Sequence, residues 1–164
     1  MRRRLDPVPL PVFSRPDLNR YVRLLVERLG EDLVSVVLFG SRARGAGKPG
    51  SDVDLLIVAR SLPRDRWDRC RPLLDIAREV SPDFGQLISL IVRTPEEAGK
   101  TKPYYLGMLS AHELLYDRDG FFAGVLARLR QRLQELGSRR YVDADGYEYW
   151  DLKPDWKPGD VVEL

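Results

Sequence analysis

The chain is short of cysteine, histidine and long apolar runs, and each shortage removes a class of function. Cys70 is the one cysteine among 164 residues, so neither an internal disulfide nor a cysteine-based zinc site can form. Such usage fits a reducing compartment, and a cytoplasmic location is expected. His112 is the one histidine, which rules out a histidine metal cluster or a relay that needs two imidazoles. No stretch approaches the roughly 18 apolar residues that span a bilayer, so no membrane role is expected. Met1-Arg2-Arg3-Arg4 carries the charge of a signal peptide's start, but Pro7, Pro9 and Pro11 break the stretch that follows, and the basic tip reads as a solvated tail. Lysine is scarce too. Most basic residues are arginines, a surplus that a biased genome composition would produce without any binding role.

What is present describes an ordinary soluble globular chain. The hydrophobic share is 43% and the charged share 32%, with a net charge of +2 spread over many groups of both signs. That is enough apolar material for one core and too little charge of one sign to attract polyanions strongly. Residues 1–137 are expected to form the main domain with an extended N-terminal arm, and residues 138–164 a hairpin and tail packed on it. After the proline-punctuated arm of residues 1–13, Ser14 caps a helix in which Leu18, Val22, Leu25 and Leu29 share a face, and Gly30 ends it. Leu33 to Phe39 reads as a strand buried on both faces, and Asp54 to Ala59 as a second. A helix is expected over residues 63–80, or only from Pro72 onward, because proline disfavours a helix interior. Ser81-Pro82-Asp83 breaks the chain before a third strand over Leu87 to Val92. Helical turns are expected over Pro95 to Ala98 and Pro103 to His112, then a short apolar segment over Leu114 to Tyr116. A helix over Phe121 to Leu136 is closed by Gly137. Asp145-Gly146 between Arg140–Val142 and Tyr147–Trp150 marks a hairpin. The fold class is α/β (α+β): a mixed sheet flanked by helices.

Chemistry concentrates in Leu38-Phe39-Gly40-Ser41-Arg42-Ala43-Arg44-Gly45 and Gly50-Ser51-Asp52-Val53-Asp54-Leu55. A buried strand ends in Gly then Ser where a helical turn should begin. Glycine lets backbone approach a ligand, and free N–H groups at a helix start attract phosphate. Ser41 adds a hydroxyl, and Arg42 or Arg44 can neutralise phosphate oxygens. No Gly-Lys-Ser/Thr follows at P-loop spacing. Asp52 and Asp54, two apart at a strand's mouth, project from one face, and Mg²⁺ is commonly held by one or two carboxylates plus substrate phosphates. Alone, Gly-Ser is usually a turn and Asp-x-Asp usually solvated. Four fixed letters at this spacing arise by chance in on the order of one chain in five hundred of this length.

Gly-Ser, ten residues, then Asp-x-Asp resembles the signature of the DNA polymerase beta-like nucleotidyltransferases, and the chain's compactness is similar to their minimal prokaryotic members. The resemblance is specific over Leu38 to Val58 and looser through Thr94-Pro95-Glu96-Glu97, Pro103-Tyr104-Tyr105 and Leu115-Tyr116-Asp117. It implies that Gly40 and Ser41 bind a nucleoside triphosphate, ATP by preference, and that Asp52 and Asp54 are catalytic and hold Mg²⁺. It further implies transfer of a nucleoside monophosphate to an acceptor hydroxyl, with pyrophosphate released. In the minimal family one such acceptor is a tyrosine of a small helical toxin-type partner, the enzyme acting as antitoxin. One departure stands out. Active members commonly place a third carboxylate on the next core strand, whereas here Leu87 or Ser89 takes the slot and Asp83 lies upstream. The second reading is therefore a nucleotide-binding module with little or no turnover. Nucleic-acid binding through the Arg-rich loop ranks last, and a homo-oligomer is left open. His112 reads as a helix-end residue, Cys70 as packing, and Trp150 and Trp156 as anchors of the tail.

Overall fold

A computed structural model describes residues 9–164. The basic tip and the first part of the expected arm lie outside those residues. Helix α1 (Arg15–Leu29) begins where Ser14 Oγ accepts the Asp17 N–H, with Pro16 in the first turn. Its face of Leu18, Tyr21 and Leu25 is fully buried, and Tyr21 finds a partner for its hydroxyl by donating to the Leu73 carbonyl at 3.1 Å. Gly30, at φ 52°, turns the chain out of the helix and into strand β1 (Leu33–Phe39).

Strand β1 runs antiparallel to β2 (Val53–Ala59) and to β4 (Glu113–Asp117), while β2 runs parallel to β3 (Ile88–Arg93). The order across the sheet is β3-β2-β1-β4. Its two central strands are apolar on both faces because both faces are covered. On one side α1, α3 (Arg66–Val80) and α4 (Pro82–Leu87) enclose Val36, Leu55 and Ile57. On the other side α5 (Pro95–Ala98), α6 (Pro103–Ser110) and α7 (Phe121–Glu135) enclose Val37, Leu56 and Val58. A short helical turn, α2 (Gly40–Ala43), joins β1 to the loop before β2.

Two expectations are corrected. Helix α3 neither starts at residue 63 nor waits for Pro72; it runs from Arg66 through it. Asp65 caps the helix by accepting from the Trp67 and Asp68 N–H groups, and burial of Leu73, Ile76, Ala77 and Val80 outweighs the backbone bond that proline omits. The third strand begins at Ile88, not Leu87, because Ser81-Pro82 opens a helix instead of only breaking one. Ser81 Oγ accepts the Phe84 N–H at 3.1 Å, and Leu87 becomes the buried end of α4. Thr94 and Glu97 form a reciprocal capping box on α5.

The tail forms its own two-stranded ribbon, β5 (Arg139–Val142) and β6 (Glu148–Asp151). Asp145-Gly146 sits in its turn, but the turn spans residues 143–147 because Asp143 Oδ1 accepts from the N–H groups of both Asp145 and Tyr147. Trp150 packs on the second core as anticipated; Trp156 remains 54% exposed and donates only to the Asp160 carbonyl within the tail. No described helix is long and apolar enough to cross a membrane.

Asp117, at the end of β4, organises the α7 junction. Its carboxylate accepts from the Phe122 and Ala123 N–H groups and from the fully buried Ser35 hydroxyl at 2.6 Å. Asp117→Ala removes a cap and strands a buried donor, so a loss of about 2–4 kcal/mol is expected in urea unfolding. Adding Ser35→Ala to that variant should restore part of the loss.

Candidate active site

The site grows from the register of two strands. Phe39, the last residue of β1, lies opposite Asp54, the second residue of β2. The turn that leaves β1 therefore starts beside the Asp54 carboxylate. Gly40 takes φ +72°, a conformation side chains resist, and a Cβ there would collide with Asp54 Oδ2 and stand 3.1 Å from its Cγ. Glycine is required at this place twice over, by backbone angle and by space. Ser41 follows in the first turn of α2, where N–H groups lack intrahelical partners.

Val53 is buried, so Asp52 and Asp54 on either side of it share the opposite face of the chain; Asp52 is exposed and Asp54 half-buried. Burial is the main reason the Asp54 carboxyl is pushed above the usual carboxylate range. The neighbouring Ser89 side chain pulls the other way, the charge of Asp52 raises it further, and Arg44 lowers it. Ser89, not Leu87, is thus the residue in the third-acid slot: it aligns with Asp54 across the parallel β2–β3 pair. Asp83 does not reach in. Its carboxylate accepts the Val12 N–H at 3.1 Å and ties down the N-terminal arm.

Gly40 lies directly against Asp54, Ser41 follows it in α2, and Asp52 and the exposed Arg44 are close enough to act on the Asp54 charge. Arg42, expected at the phosphates, is placed otherwise. Its Nε donates to the carbonyls of Ser51 and Asp52, both at 3.2 Å, and its Nη2 to those of Ser51 at 2.6 Å and Lys48 at 3.5 Å. Its guanidinium carbon lies 4.3 Å from the centre of the Phe13 ring. Burial lowers the Arg42 pKa, and the nearby Asp52 charge opposes that shift. Phe13 was not foreseen; a single aromatic in a proline-rich arm gives no periodic signal. Nor was Tyr104, which stacks on Phe39 at 6.3 Å with its hydroxyl buried and unpartnered.

The donor set suits a hard divalent cation. Two carboxylates on one face, one of them partly desolvated and destabilised by the other, hold more negative charge than their surroundings compensate. Among the described residues no cluster of three or more His, Cys, Asp or Glu gathers, so the remaining ligands of such an ion would have to come from substrate and water. A concavity of about 660 Å³ beside Trp67 and Cys70 lies on the other face of β3, lined by Ile88 and Leu90, and is not part of this site.

A nucleotidyltransferase domain model matches residues 19–106. A Methanocaldococcus jannaschii protein that carries the name of a protein adenylyltransferase is 32% identical over 147 residues, 88% of this chain and 94% of that relative. Among solved structures, a nucleotidyltransferase of Sulfolobus solfataricus superposes with a TM-score of 0.46 at 23% identity, over 63% of this chain and 80% of that one. A toxin-antitoxin structure with AMP-PNP does so with a TM-score of 0.47 at 15% identity, over 73% and 92%. Likeness of that degree between structures says nothing about substrate.

The raised Asp54 pKa has a consequence for stability. Its folded value lies above the ordinary, unfolded one, so between the two the folded state binds more protons and stability falls as pH rises. Asp54→Asn removes the penalty. It is expected to melt higher than the wild type at pH 7 in a chelator, and to gain less than the wild type when Mg²⁺ is added, both read by thermal unfolding.

Proposed function

Since this chain belongs to the nucleotidyltransferase domain family, and is an enzyme of that type, we propose that it transfers AMP from ATP to a hydroxyl of an acceptor protein. The observation that carries the reading is the Gly40–Asp54 contact, which sets a phosphate-binding turn directly against a carboxylate pair. In this reading Gly40 and Ser41 hold the triphosphate with backbone N–H groups and the Ser41 hydroxyl, and Arg44 neutralises phosphate oxygens. Asp52 and Asp54 would hold Mg²⁺, which when bound supplies charge stabilisation to the phosphates. The acceptor oxygen forms a bond to the α-phosphorus while the bond from that phosphorus to the bridging oxygen breaks. Pyrophosphate leaves, and the acceptor's proton passes to solvent water.

The Ser89 position bears on which acceptor this is. With a hydroxyl where a third carboxylate would otherwise help remove the proton, the site favours an acceptor that gives its proton up readily. A tyrosine phenol, of pKa about 10, does so far more easily than the aliphatic alcohols of serine or threonine. A protein acceptor is also in keeping with the relative named as a protein adenylyltransferase. We therefore place the acceptor as a tyrosine, and its bearer as a small helical toxin-type partner for which this chain is the antitoxin. The second reading, a nucleotide-binding module with little turnover, rests on the same Ser89.

The test is incubation of the full chain with α-labelled ATP, Mg²⁺ and host extract. Label is expected on a partner protein, on tyrosine and not on serine or threonine, with a rate that climbs with pH toward the phenol's pKa. Asp52→Asn should reduce the label at least about a hundredfold, the scale of losing one preorganised charge-stabilising group. Mg²⁺-dependent ATP binding with no labelled protein would favour the second reading. Undiminished labelling by Asp52→Asn would remove the site assignment.

A further inference from the structure

We infer that Arg42 is a positioning residue which sets the cation-binding loop from beneath, and that the N-terminal arm holds it there. The inference rests on the reading of Asp52 and Asp54 as a cation pair. Asp54 stands on a strand and is placed by the sheet, whereas Asp52 precedes the strand, at the end of an exposed loop rich in glycine. Such a loop has few means of fixing a side chain at its end. The tightest internal feature is a Pro49-Gly50 turn, closed by the Ser51 N–H on the Lys48 carbonyl at 3.0 Å, with Gly50 at φ +77° as the turn requires.

Arg42 ties that turn to the nucleotide side. One guanidinium donates to the carbonyls of residues 48, 51 and 52, so the two ends of the turn and the residue bearing the exposed carboxylate share one rigid, planar donor. The Asp52 carbonyl bond is the direct link, since it fixes the peptide from which the carboxylate projects. Arg42 itself stands two residues after Gly40, in the same turn α2, so phosphate cradle and cation seat are held in one mutual geometry.

The arm completes the arrangement from the other side. The Phe13 ring lies against the guanidinium, a Cβ on Gly50 would meet Leu10 at 3.4 Å, and the Val12 N–H is held by Asp83. Gly47 also depends on Arg42, because a Cβ there would stand 2.8 Å from Arg42 Cγ. Lysine could keep the charge at residue 42 but not the fork, since a single ammonium cannot reach three carbonyls in one plane.

The test uses the full chain as wild type, Arg42→Lys, Arg42→Ala and Phe13→Ala, titrating Mg²⁺ calorimetrically with AMP-PNP at saturation, alongside thermal unfolding. Hydrogen exchange of the loop amides is measured without any ligand. Both Arg42 variants are expected to need about tenfold more Mg²⁺ for half-saturation, the scale of losing a group that orients a metal ligand, and Phe13→Ala less. AMP-PNP affinity at saturating Mg²⁺ should stay within about twofold of wild type, as group-orienting and phosphate-binding roles differ in this respect. Loop amides over residues 44–52 should exchange faster in both Arg42 variants. A fall in AMP-PNP affinity that persists at saturating Mg²⁺ would make Arg42 a phosphate contact and overturn the inference. So would a Mg²⁺ requirement unchanged in Arg42→Lys. A wild type that binds AMP-PNP without any dependence on Mg²⁺ would overturn the cation reading and this inference with it.

Discussion

When a carboxylate oxygen rests where a glycine's side chain would begin, neither residue can be replaced or shifted without the other. Gly40 and Asp54 stand in that relation because β1 and β2 pair in a register that sets Phe39 opposite Asp54. A slip of one residue would exchange the side chains that the two covered faces pack and carry Asp54 into the core, so close packing on both faces holds the register. The core thus places the site: the same packing that buries Leu55 and Leu56 on opposite faces brings the turn of one strand against the acid of the next.

That arrangement works against stability locally. Asp54 is half-buried, lies near a second carboxylate, and is relieved only by a hydroxyl and a solvent-exposed arginine. A chain selected for stability alone would have neutralised or exposed it. Frustration of this kind at a strand's mouth, beside a glycine that cannot be substituted, is the pattern of a candidate binding site, where a ligand would relieve what folding leaves strained. Elsewhere, the Tyr104 hydroxyl aside, polar groups find partners: Asp117 with Ser35, Tyr21 with Leu73, Thr94 with Glu97, and Arg15 with Glu113 across the start of α1 and β4.

Much of this was legible in the sequence because it is local. Buried strands announce themselves as unbroken apolar runs, Ser14 and Pro95 announce helix starts, and Gly-Ser followed by Asp-x-Asp is readable as letters and spacing. The misreadings share a cause. Pro72 argued against a helix that burial of its C-terminal half sustains, and Leu87 read as strand because its apolar character does not tell strand from helix end. Arg42 was assigned to phosphate because proximity in sequence to Ser41 is visible, whereas the carbonyls of residues 48, 51 and 52 become its partners only once the loop folds back. Phe13 and Tyr104 were silent because their partners, Arg42 and Phe39, are distant in the chain.

Ser89 was legible as an absence, and the structure changes what that absence means. On the sequence the missing acid counts against turnover. In the fold, Ser89 stands level with the very carboxylate whose charge is costly and pulls its pKa down, so it helps to keep Asp54 ionised where a third acid would have added to the repulsion. Two carboxylates and a hydroxyl make a weaker proton acceptor than three carboxylates, but they add no further charge against Asp54. Under the proposed function, such a site is suited to a nucleophile that needs little help in losing its proton, and a phenol meets that condition where an alkyl alcohol does not.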